Sequence, residues 1–282
     1  MISVIIPTFN RAAFLSRSIQ SVIRQTLSPA ELIIVDDGST DNTSQVVHDL
    51  ADHTPAFPIL YKYQENKGAA AARNTGIRTS RHEHIAFLDS DDWWLPEKLA
   101  QQYASMVSQP HYLISHTREL WYRNDKRVNQ KKKHDPPHGD IFEASLRMCM
   151  VGMSTVMAKR TCFDTFGFFD EQLPCCEDYD LWLRMSCQLP FLRIDAPLIC
   201  KDGGRDDQLS FIHRMGMDTF RIQALCNLLE RSSLSEKQRS ITLIELQRKC
   251  TIYGNGCIKH GRHQEGQRYL ELPNNYLSNG EQ

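Results

Sequence analysis

The chain has 282 residues, of which 41% are hydrophobic, so it can bury a core in one large domain or in one domain with an appendage. Its 33 Lys and Arg residues nearly balance 34 Asp and Glu residues. No overall field therefore attracts nucleic acid, and any charge-based function must be local. No stretch approaches the roughly 20 apolar residues of a membrane span. The N-terminal MISVIIPTFN lacks the features of a secretory signal, and nine scattered cysteines without a CxxC pair are typical of reduced thiols. These features predict a cytoplasmic protein.

Residues 1–110 alternate short apolar runs with segments of helical period, the pattern of a parallel sheet covered by helices. The predicted strands are SVIIP (3–7), ELIIVDD (31–37), ILYKYQ (59–64) and HIAFLD (84–89). The predicted helices cover RAAFLSRSIQSVIRQT (11–26), the segment after GSTDNT (38–43), the Ala-rich GAAAARNTGI (68–77), and a helix from Pro96 whose buried stripe is Leu99, Tyr103, Met106 and Val107. This half is predicted to be a nucleotide-binding layer.

The second half of the chain has a different pattern. Strand-like YLISHT (112–117), STVMAK (154–159) and FLRID (191–195) lie among shorter helices, so we expect residues 111–210 to extend the sheet with antiparallel members. The polar, basic and Pro-broken segment 122–140 predicts a loop. Two long amphipathic patterns, 211–230 and 235–254, predict a C-terminal helical region over 211–282. The predicted fold class is α/β, a Rossmann-like mixed sheet with a helical appendage.

Distinctive polar residues follow three of the predicted parallel strands. They are Pro7, Thr8 and Asn10 after the first strand, Asp36 and Asp37 after the second, and Asp89, Ser90, Asp91 and Asp92 after the fourth. Ligands of open α/β sheets bind at these carboxyl ends. Neither GxGxxG nor GxxxxGK[ST] is present, so no glycine-rich turn holds a pyrophosphate. Clustered Asp residues indicate instead a divalent metal, Mg²⁺ or Mn²⁺, that neutralises the phosphates of a nucleotide diphosphate.

Five stretches in order resemble a family-2 glycosyltransferase of GT-A fold over roughly residues 1–210. They are SVIIPTFNRAAFLSRSIQSVIRQT, ELIIVDDGSTDNT, NKGAAAARNTGI, FLDSDDWWLPEKL and EDYDLWLRM. The resemblance implies transfer of a sugar, with inversion at the anomeric carbon, from a nucleotide-sugar donor such as a UDP-sugar to an acceptor hydroxyl. It also implies a saccharide or lipid-linked acceptor, in the assembly of surface polysaccharide or glycolipid.

By this resemblance, Asp37 accepts the uracil imide N–H, while Pro7 and Thr8 line the base and ribose pocket. Asp89 and Asp91 match the family's DxD pair, with Asp91 as the metal ligand and Asp89 at the ribose or donor sugar. Asp92 has two interpretations, a residue that supports the metal ligand from behind or a cap on the next helix. The remaining residues assigned to donor binding are Asn10, Arg73, Ser90 and Arg205.

Asp178 matches the position of the family's general base, and Glu177 would orient the acceptor or a loop. Alternatively, the acids of this stretch are favoured simply by the dipole at the start of a helix. Arg73 matches another family signature and could balance phosphate charge, although an Arg on an Ala-rich helix also packs along its stem.

One position departs from the family pattern. Related sequences tend to carry a metal-binding histidine in the segment that matches GGRDDQLS, where this chain has Arg205. A guanidinium has no free lone pair for a metal. Either Asp91, phosphates and water hold the metal, or Arg205 contacts the diphosphate itself.

The basic stretch Lys131–His134 has two interpretations, peripheral contact with the inner face of the membrane or a solvated loop that could close over bound donor. Two rival functions also stay open. The first is a sugar-nucleotide-binding pseudoenzyme. The second is a nucleotidyltransferase, although PTFNRAAFL lacks the glycine that such enzymes need.

Overall fold

The structure is a computed structural model that describes residues 1–52, 57–123 and 126–277. Within these ranges, nine strands form one mixed sheet. They are β1 (Ile2–Thr8), β2 (Glu31–Asp36), β3 (Ile59–Tyr63), β4 (His84–Phe87), β5 (Trp93–Trp94), β6 (Ile114–Arg123), β7 (Lys126–Val128), β8 (Met157–Lys159) and β9 (Phe191–Asp202). Their order is β3-β2-β1-β4-β8-β6-β9-β5, with β7 paired to β6. The predicted α/β class with a Rossmann-like mixed sheet is confirmed.

The first four strands are parallel, as predicted. β1 lies between β2 and β4, and Thr8 at its end pairs with Asp36 at the end of β2. Both strands are buried along their whole length, which explains their continuous apolar runs. The carboxyl ends of β1, β2 and β4 therefore lie at the same edge of the sheet, and the polar residues that follow them meet there.

The other half of the sheet is mixed. β8 runs antiparallel to both β4 and β6, whereas β9 runs parallel to β6. The register between β6 and β9 shifts on both sides of Arg118, a bulge that redirects the second half of β6. The prediction of a loop from residue 122 was wrong for 122–123 and 126–128, because β6 extends to Arg123 and pairs with β7. Residues 124 and 125 lie outside the described ranges.

Helices cover both faces of the sheet. The first six are α1 (Ala12–Ile23), α2 (Thr43–Asp52), α3 (Ala69–Thr79), α4 (Lys98–Ser108), α5 (Phe142–Arg147) and α6 (Arg160–Phe166). The other six are α7 (Glu177–Ser186), α8 (Leu209–Ile212), α9 (Met217–Arg231), α10 (Glu236–Lys259), α11 (His263–Glu271) and α12 (Asn274–Leu277). None of the described helices is both long and apolar enough to cross a membrane.

Two details of the predicted helices were wrong. Val107 is 57% exposed rather than buried, because its neighbour Met106 faces the sheet and successive helical residues point about 100° apart. The helix predicted over 211–230 is divided into α8 and α9 at Gly216, which has a φ of 102°. Glycine tolerates this left-handed conformation, which a helix interior does not allow.

The C-terminal helices pack against the sheet domain through a shared apolar cluster. Leu225 of α9 and Leu246 of α10 lie in this cluster with Tyr179 and Leu183 of α7. Helices α9 and α10 therefore share a core with the helix that carries the predicted catalytic residues. The predicted helical content is confirmed for residues 211–277, and residues 278–282 lie outside the described ranges. The domain boundary at 210/211 stays a prediction.

Candidate functional site

The predicted site residues meet at one edge of the sheet. Thr8 and Asp37 lie side by side at the ends of β1 and β2, where the Asp37 N–H donates to the Thr8 carbonyl at 2.9 Å. The loop after β4 brings Asp89 and Asp91 to the same edge. Arg73 then connects Asp89 to Glu177 at the start of α7. The structure thus assembles five segments that are far apart in sequence.

Asp37 is buried and holds the loop before α3. One carboxylate oxygen accepts from the Gln64 amide at 2.7 Å and the Lys67 N–H at 2.9 Å, and the other accepts from the Gly68 N–H at 2.8 Å. The adjacent Thr8 hydroxyl is buried without a hydrogen-bond partner among the described residues. An unsatisfied buried hydroxyl is costly, so Thr8 is the natural place for a ligand to supply a hydrogen bond.

Asn10 and Pro7 support the ends of the first two strands. Asn10 has a φ of 50°, and its backbone N–H donates to the Ser39 hydroxyl at 2.8 Å. Its side-chain oxygen accepts from the Thr40 N–H at 2.8 Å. Pro7 lies within β1 opposite Val35, where it is buried. Asn10 therefore fixes the two loops that border the Thr8 and Asp37 pocket.

Arg73 is a buried cation between two carboxylates. One guanidinium nitrogen donates to Asp89 Oδ1 at 2.8 Å, and another donates to Glu177 Oε1 in a very short contact. Burial raises the pKa of Glu177 to about 7, although Arg73 opposes the shift and Asp178 reinforces it. Arg73 thus connects α3, the loop after β4 and α7, and its predicted contact with donor phosphates stays a prediction.

Asp91 faces two donors rather than a group of metal ligands. Its Oδ2 accepts from Arg205 in a very short ion pair and from the Gln208 amide at 3.2 Å. The Arg205 guanidinium also lies over the Phe14 ring, 4.4 Å from its centroid. Arg205 is therefore held at the position where the sequence departs from the family pattern.

Asp92 and Ser90 support the loop from inside. Asp92 Oδ2 accepts from the Ser154 hydroxyl at 2.6 Å, and the Ser90 carbonyl accepts from the Ser18 hydroxyl at 2.8 Å. Burial, with Asp91 nearby, raises the pKa of Asp92 well above its ordinary value. Because α4 begins at Lys98, six residues later, Asp92 does not cap that helix, and its support of a metal ligand stays a prediction.

The described residues contain no cluster of three or more His, Cys, Asp or Glu side chains that could hold a metal. Mg²⁺ and Mn²⁺ bound with nucleotides often take one or two carboxylates, with phosphates and waters as the other ligands. Asp91 fits this sparser arrangement, because its Oδ1 has no hydrogen-bond partner among the described residues. The residues present therefore fit a metal that arrives with phosphate ligands, and not one that the protein holds alone.

Asp178 lies in the first turn of α7 and is only partly buried. Its Oδ1 accepts from the Tyr179 N–H at 2.7 Å, and the Cys149 thiol donates to Oδ2 at 3.4 Å. Burial raises the pKa of the Cys149 thiol well above its ordinary value, and Asp178 adds to the shift, so this thiol is a neutral donor. Asp178 is thus a carboxylate held at a helix N-terminus with access to solvent.

Sequence reasoning missed several polar partners that tertiary contacts bring to the site. Gln64, Ser154 and Gln208 each donate to one of the site carboxylates. Lys201, near the end of β9, is surrounded by carboxylates. Glu119, then Asp92, Asp89 and Asp178, raise its pKa against the effect of burial. Nothing in their local patterns marks these residues, although a lysine near the end of a predicted strand is one available signal.

Comparison with characterised proteins places this geometry in a known group. A sequence profile described as Glycosyl transferase family 2 matches residues 3–165. An Escherichia coli protein named UDP-Glc:alpha-D-GlcNAc-diphosphoundecaprenol beta-1,3-glucosyltransferase is 33% identical over 204 residues, which are 71% of this chain and 75% of that protein. An uncharacterised glycosyltransferase of Rickettsia felis is 34% identical over 70% of this chain. The chain spans about a third of that relative's length, 32%.

Solved structures share the fold at low identity. S. aureus TarS in complex with UDP-GlcNAc aligns with a TM-score of 0.73 at 18% identity, covering 96% of this chain and 79% of that chain. A mannosyltransferase of Pyrobaculum calidifontis, solved with GDP-Man and Mn²⁺, aligns with a TM-score of 0.63 at 14% identity. The alignment covers 99% of this chain and 88% of that chain. These alignments confirm the GT-A fold. Because the family profile covers more than half of the residues, this chain belongs to glycosyl transferase family 2.

Proposed function

We propose that the chain is an inverting glycosyltransferase that moves a sugar from a UDP-sugar donor to a hydroxyl of a lipid-linked saccharide. The observation that carries this proposal is the arrangement at one sheet edge. There Thr8 and Asp37, the DxD pair Asp89 and Asp91, and the acids at the start of α7 lie together, and Arg73 connects Asp89 to Glu177. Nucleotide binding, an anionic leaving group and a base are the three requirements of this reaction.

The donor would bind across the ends of β1 and β2. Asp37 is already oriented by three donors from residues 64–68, and its Oδ2 receives only one of them, so it retains capacity for the uracil imide N–H. The unpartnered Thr8 hydroxyl would complete its hydrogen bonding with the base or ribose. The S. aureus TarS complex with UDP-GlcNAc supports this choice of donor class.

The diphosphate would lie beside Asp91 and Arg205. Asp91 would hold a Mn²⁺ or Mg²⁺ ion through its Oδ1, and the bound metal would act as a Lewis acid for the charge that develops on the leaving diphosphate. Arg205, fixed on the other oxygen of Asp91, keeps a permanent cation beside the phosphates. The Mn²⁺ complex of the Pyrobaculum calidifontis enzyme supports a metal here.

Asp178 would act as the general base. Its carboxylate takes the proton from the acceptor hydroxyl, whose oxygen forms a bond to the anomeric carbon. The bond from that carbon to the diphosphate oxygen breaks, and its electron pair leaves with the nucleoside diphosphate. The Tyr179 N–H and the Cys149 thiol hold Asp178 in one orientation, which helps proton transfer. Glu177, fixed by Arg73, would hold the start of α7 in place.

The relatives support a choice of acceptor and of location. The Escherichia coli relative is named for a diphosphoundecaprenol-linked acceptor, and we assign a lipid-linked saccharide to this chain by analogy. Such an acceptor would bring the protein to the inner face of the membrane, near Lys131–His134. This stretch is exposed or half-buried, so its cations are available to anionic headgroups. The division at residue 210 into a transferase domain and a helical region belongs to the same proposal.

Two measurements test the proposed function. We expect UDP to raise the melting temperature in the presence of Mn²⁺ and to raise it less in EDTA, because a ligand that binds only the folded state stabilises it. We also expect Asp178→Asn to lower the transfer rate by about 10²- to 10⁴-fold while the UDP-induced shift remains. Asp164→Asn, an exposed carboxylate on α6, is the matched control. Transfer by Asp178→Asn at the wild-type rate would remove Asp178 from the mechanism.

A further inference from the structure

A pocket lies next to Asp178, which Cys149 in its lining contacts, and away from Thr8 and Asp37. Thr117, Glu119 and Trp121 of β6 line it, together with Lys201 of β9 and Cys149. The three β6 residues alternate along the strand, so they share one face, and Trp121 is paired with Lys201 across the two strands. The bulge beside Arg118 redirects this part of β6. No residue of β1 or β2 lines the pocket.

The pocket contains a cation without a contact partner. No hydrogen bond or ion pair at contact distance joins the Lys201 ammonium to another described side chain, although Lys201 is only partly exposed. Four carboxylates near it keep it charged, with Glu119 the strongest. An ammonium group has three donors, and none of these is paired with a described residue, so the pocket favours a ligand that is rich in oxygen.

Two aromatic side chains, Trp121 and His134, line the pocket together with this cation. The Trp121 indole N–H donates to Glu119 Oε2 at 2.6 Å, which fixes the orientation of the ring. His134 lies beside it, with the ring centroids 5.1 Å apart. A Cβ on Gly152 would lie 2.2 Å from Glu119 Oε1, so glycine is needed for the close approach of this carboxylate. A fixed aromatic face beside a few polar groups is typical of small-ligand pockets.

The pocket is also connected to the proposed base. Cys149 lines the pocket, and its thiol donates to Asp178 Oδ2 at 3.4 Å. The volume is ≈ 90 Å³, several times the 10–15 Å³ that a single water requires. A group bound against Trp121 would therefore be separated from Asp178 only by the Cys149 side chain. Hydroxyl groups would complete the hydrogen bonding of Lys201 and Glu119, and the apolar face of a sugar ring would pack on the indole.

We propose that this pocket binds a pyranose ring of the acceptor, with Trp121 against its face and with Glu119 and Lys201 bonded to its hydroxyls, an inference that rests on the proposed transferase function. These residues would be binding and positioning residues for the acceptor. They would present one hydroxyl to Asp178. The donor pocket at Thr8 and Asp37 would be independent of them.

The test is saturation-transfer NMR on the full chain saturated with UDP and Mn²⁺. The probes are the methyl α-pyranosides of glucose, galactose, mannose and N-acetylglucosamine, and an N-acetylglucosamine α-diphosphate carrying a short alkyl chain. We compare Trp121→Leu and Lys201→Met with Tyr122→Leu. Tyr122 is the matched control, because it is the next residue of β6 and packs on Trp93 with ring centroids 5.4 Å apart.

We expect wild type and Tyr122→Leu to show a saturation-transfer NMR signal for at least one probe. We expect Trp121→Leu and Lys201→Met to lose that signal. In turnover, Trp121→Leu should raise the acceptor KM at least tenfold and change the donor KM less than twofold. Thermal melts with and without UDP show whether each variant is folded and binds nucleotide. Unchanged probe binding in a folded Trp121→Leu, or no probe binding to wild type, would overturn the pocket assignment. Absence of a UDP shift in wild type would instead refute the proposed function.

Discussion

Replacing Arg73 with methionine tests the connection at the centre of the site. The substitution keeps an unbranched stem of similar reach and removes the charge shared by Asp89 and Glu177. The Arg73 and Glu177 side chains are only 6% and 7% exposed, whereas Asp89 is 27% exposed. Leaving one partner of a buried pair without the other costs about 3–5 kcal/mol, while a partly solvated partner adds at most about 1 kcal/mol. We therefore expect Arg73→Met to lower the free energy of unfolding by about 3–5 kcal/mol.

The loss should depend on pH in a defined direction. In Arg73→Met, burial still raises the pKa of Glu177 above its unfolded value near 4.5, now without an opposing guanidinium. Below pH 4.5 the carboxyl is protonated in both states, so the penalty is absent. Between that value and the raised folded pKa, the folded state binds more protons, and stability falls as pH rises. We expect the variant to be closest to wild type near pH 5 and furthest from it near pH 8.

Urea unfolding at both pH values, on Arg73→Met, Glu177→Gln and the double variant, completes the cycle. The double variant removes the unpaired buried charge, so it should regain at least about 2 kcal/mol over Arg73→Met at pH 8. Additive effects within about 0.5 kcal/mol, or a loss below about 1 kcal/mol in Arg73→Met, would show that the bridge does not couple α3 to α7.

Three further predictions concern stability. Burial lowers the pKa of His116 to about 3, so between that value and 6.5 the unfolded state binds the extra proton and stability is lost as pH falls. In urea titrations, His116→Leu should therefore remove about 2 kcal/mol of the loss of stability between pH 7 and pH 5. A variant that loses as much stability as wild type over this range would contradict the prediction. Gly76→Ala should destabilise by about 1–3 kcal/mol because the new Cβ would lie 2.4 Å from Ile5 Cγ2, whereas Gly256→Ala, with no neighbour within 4 Å, should stabilise by about 0.5–1 kcal/mol; equal thermal shifts for the two would refute the packing argument. Ser235→Ala should lower the free energy of unfolding by about 1 kcal/mol, because it removes the capping box of α10. Ser235→Thr should retain most of this stability in the same melts.

Local sequence patterns determined the parallel half of the sheet. The apolar runs before Pro7, Asp37 and Asp89 predict β1, β2 and β4, because strands buried on both faces need continuous apolar sequence. Their carboxyl ends must then share an edge, which places the polar residues of the site together. The family-like motifs at these ends also predicted the fold, which the GT-A structures confirm.

Only the tertiary structure determined which side chains contact one another. Arg73, Glu177 and Arg205 are long charged residues whose partners lie on other segments, up to 114 positions away for Arg205 and Asp91. A side chain's pattern within its own helix or strand reports which face it occupies and carries no information about distant partners. The extension of β6 to Tyr122 was missed for the same reason, because it depends on pairing with β9, some 80 residues later in the chain.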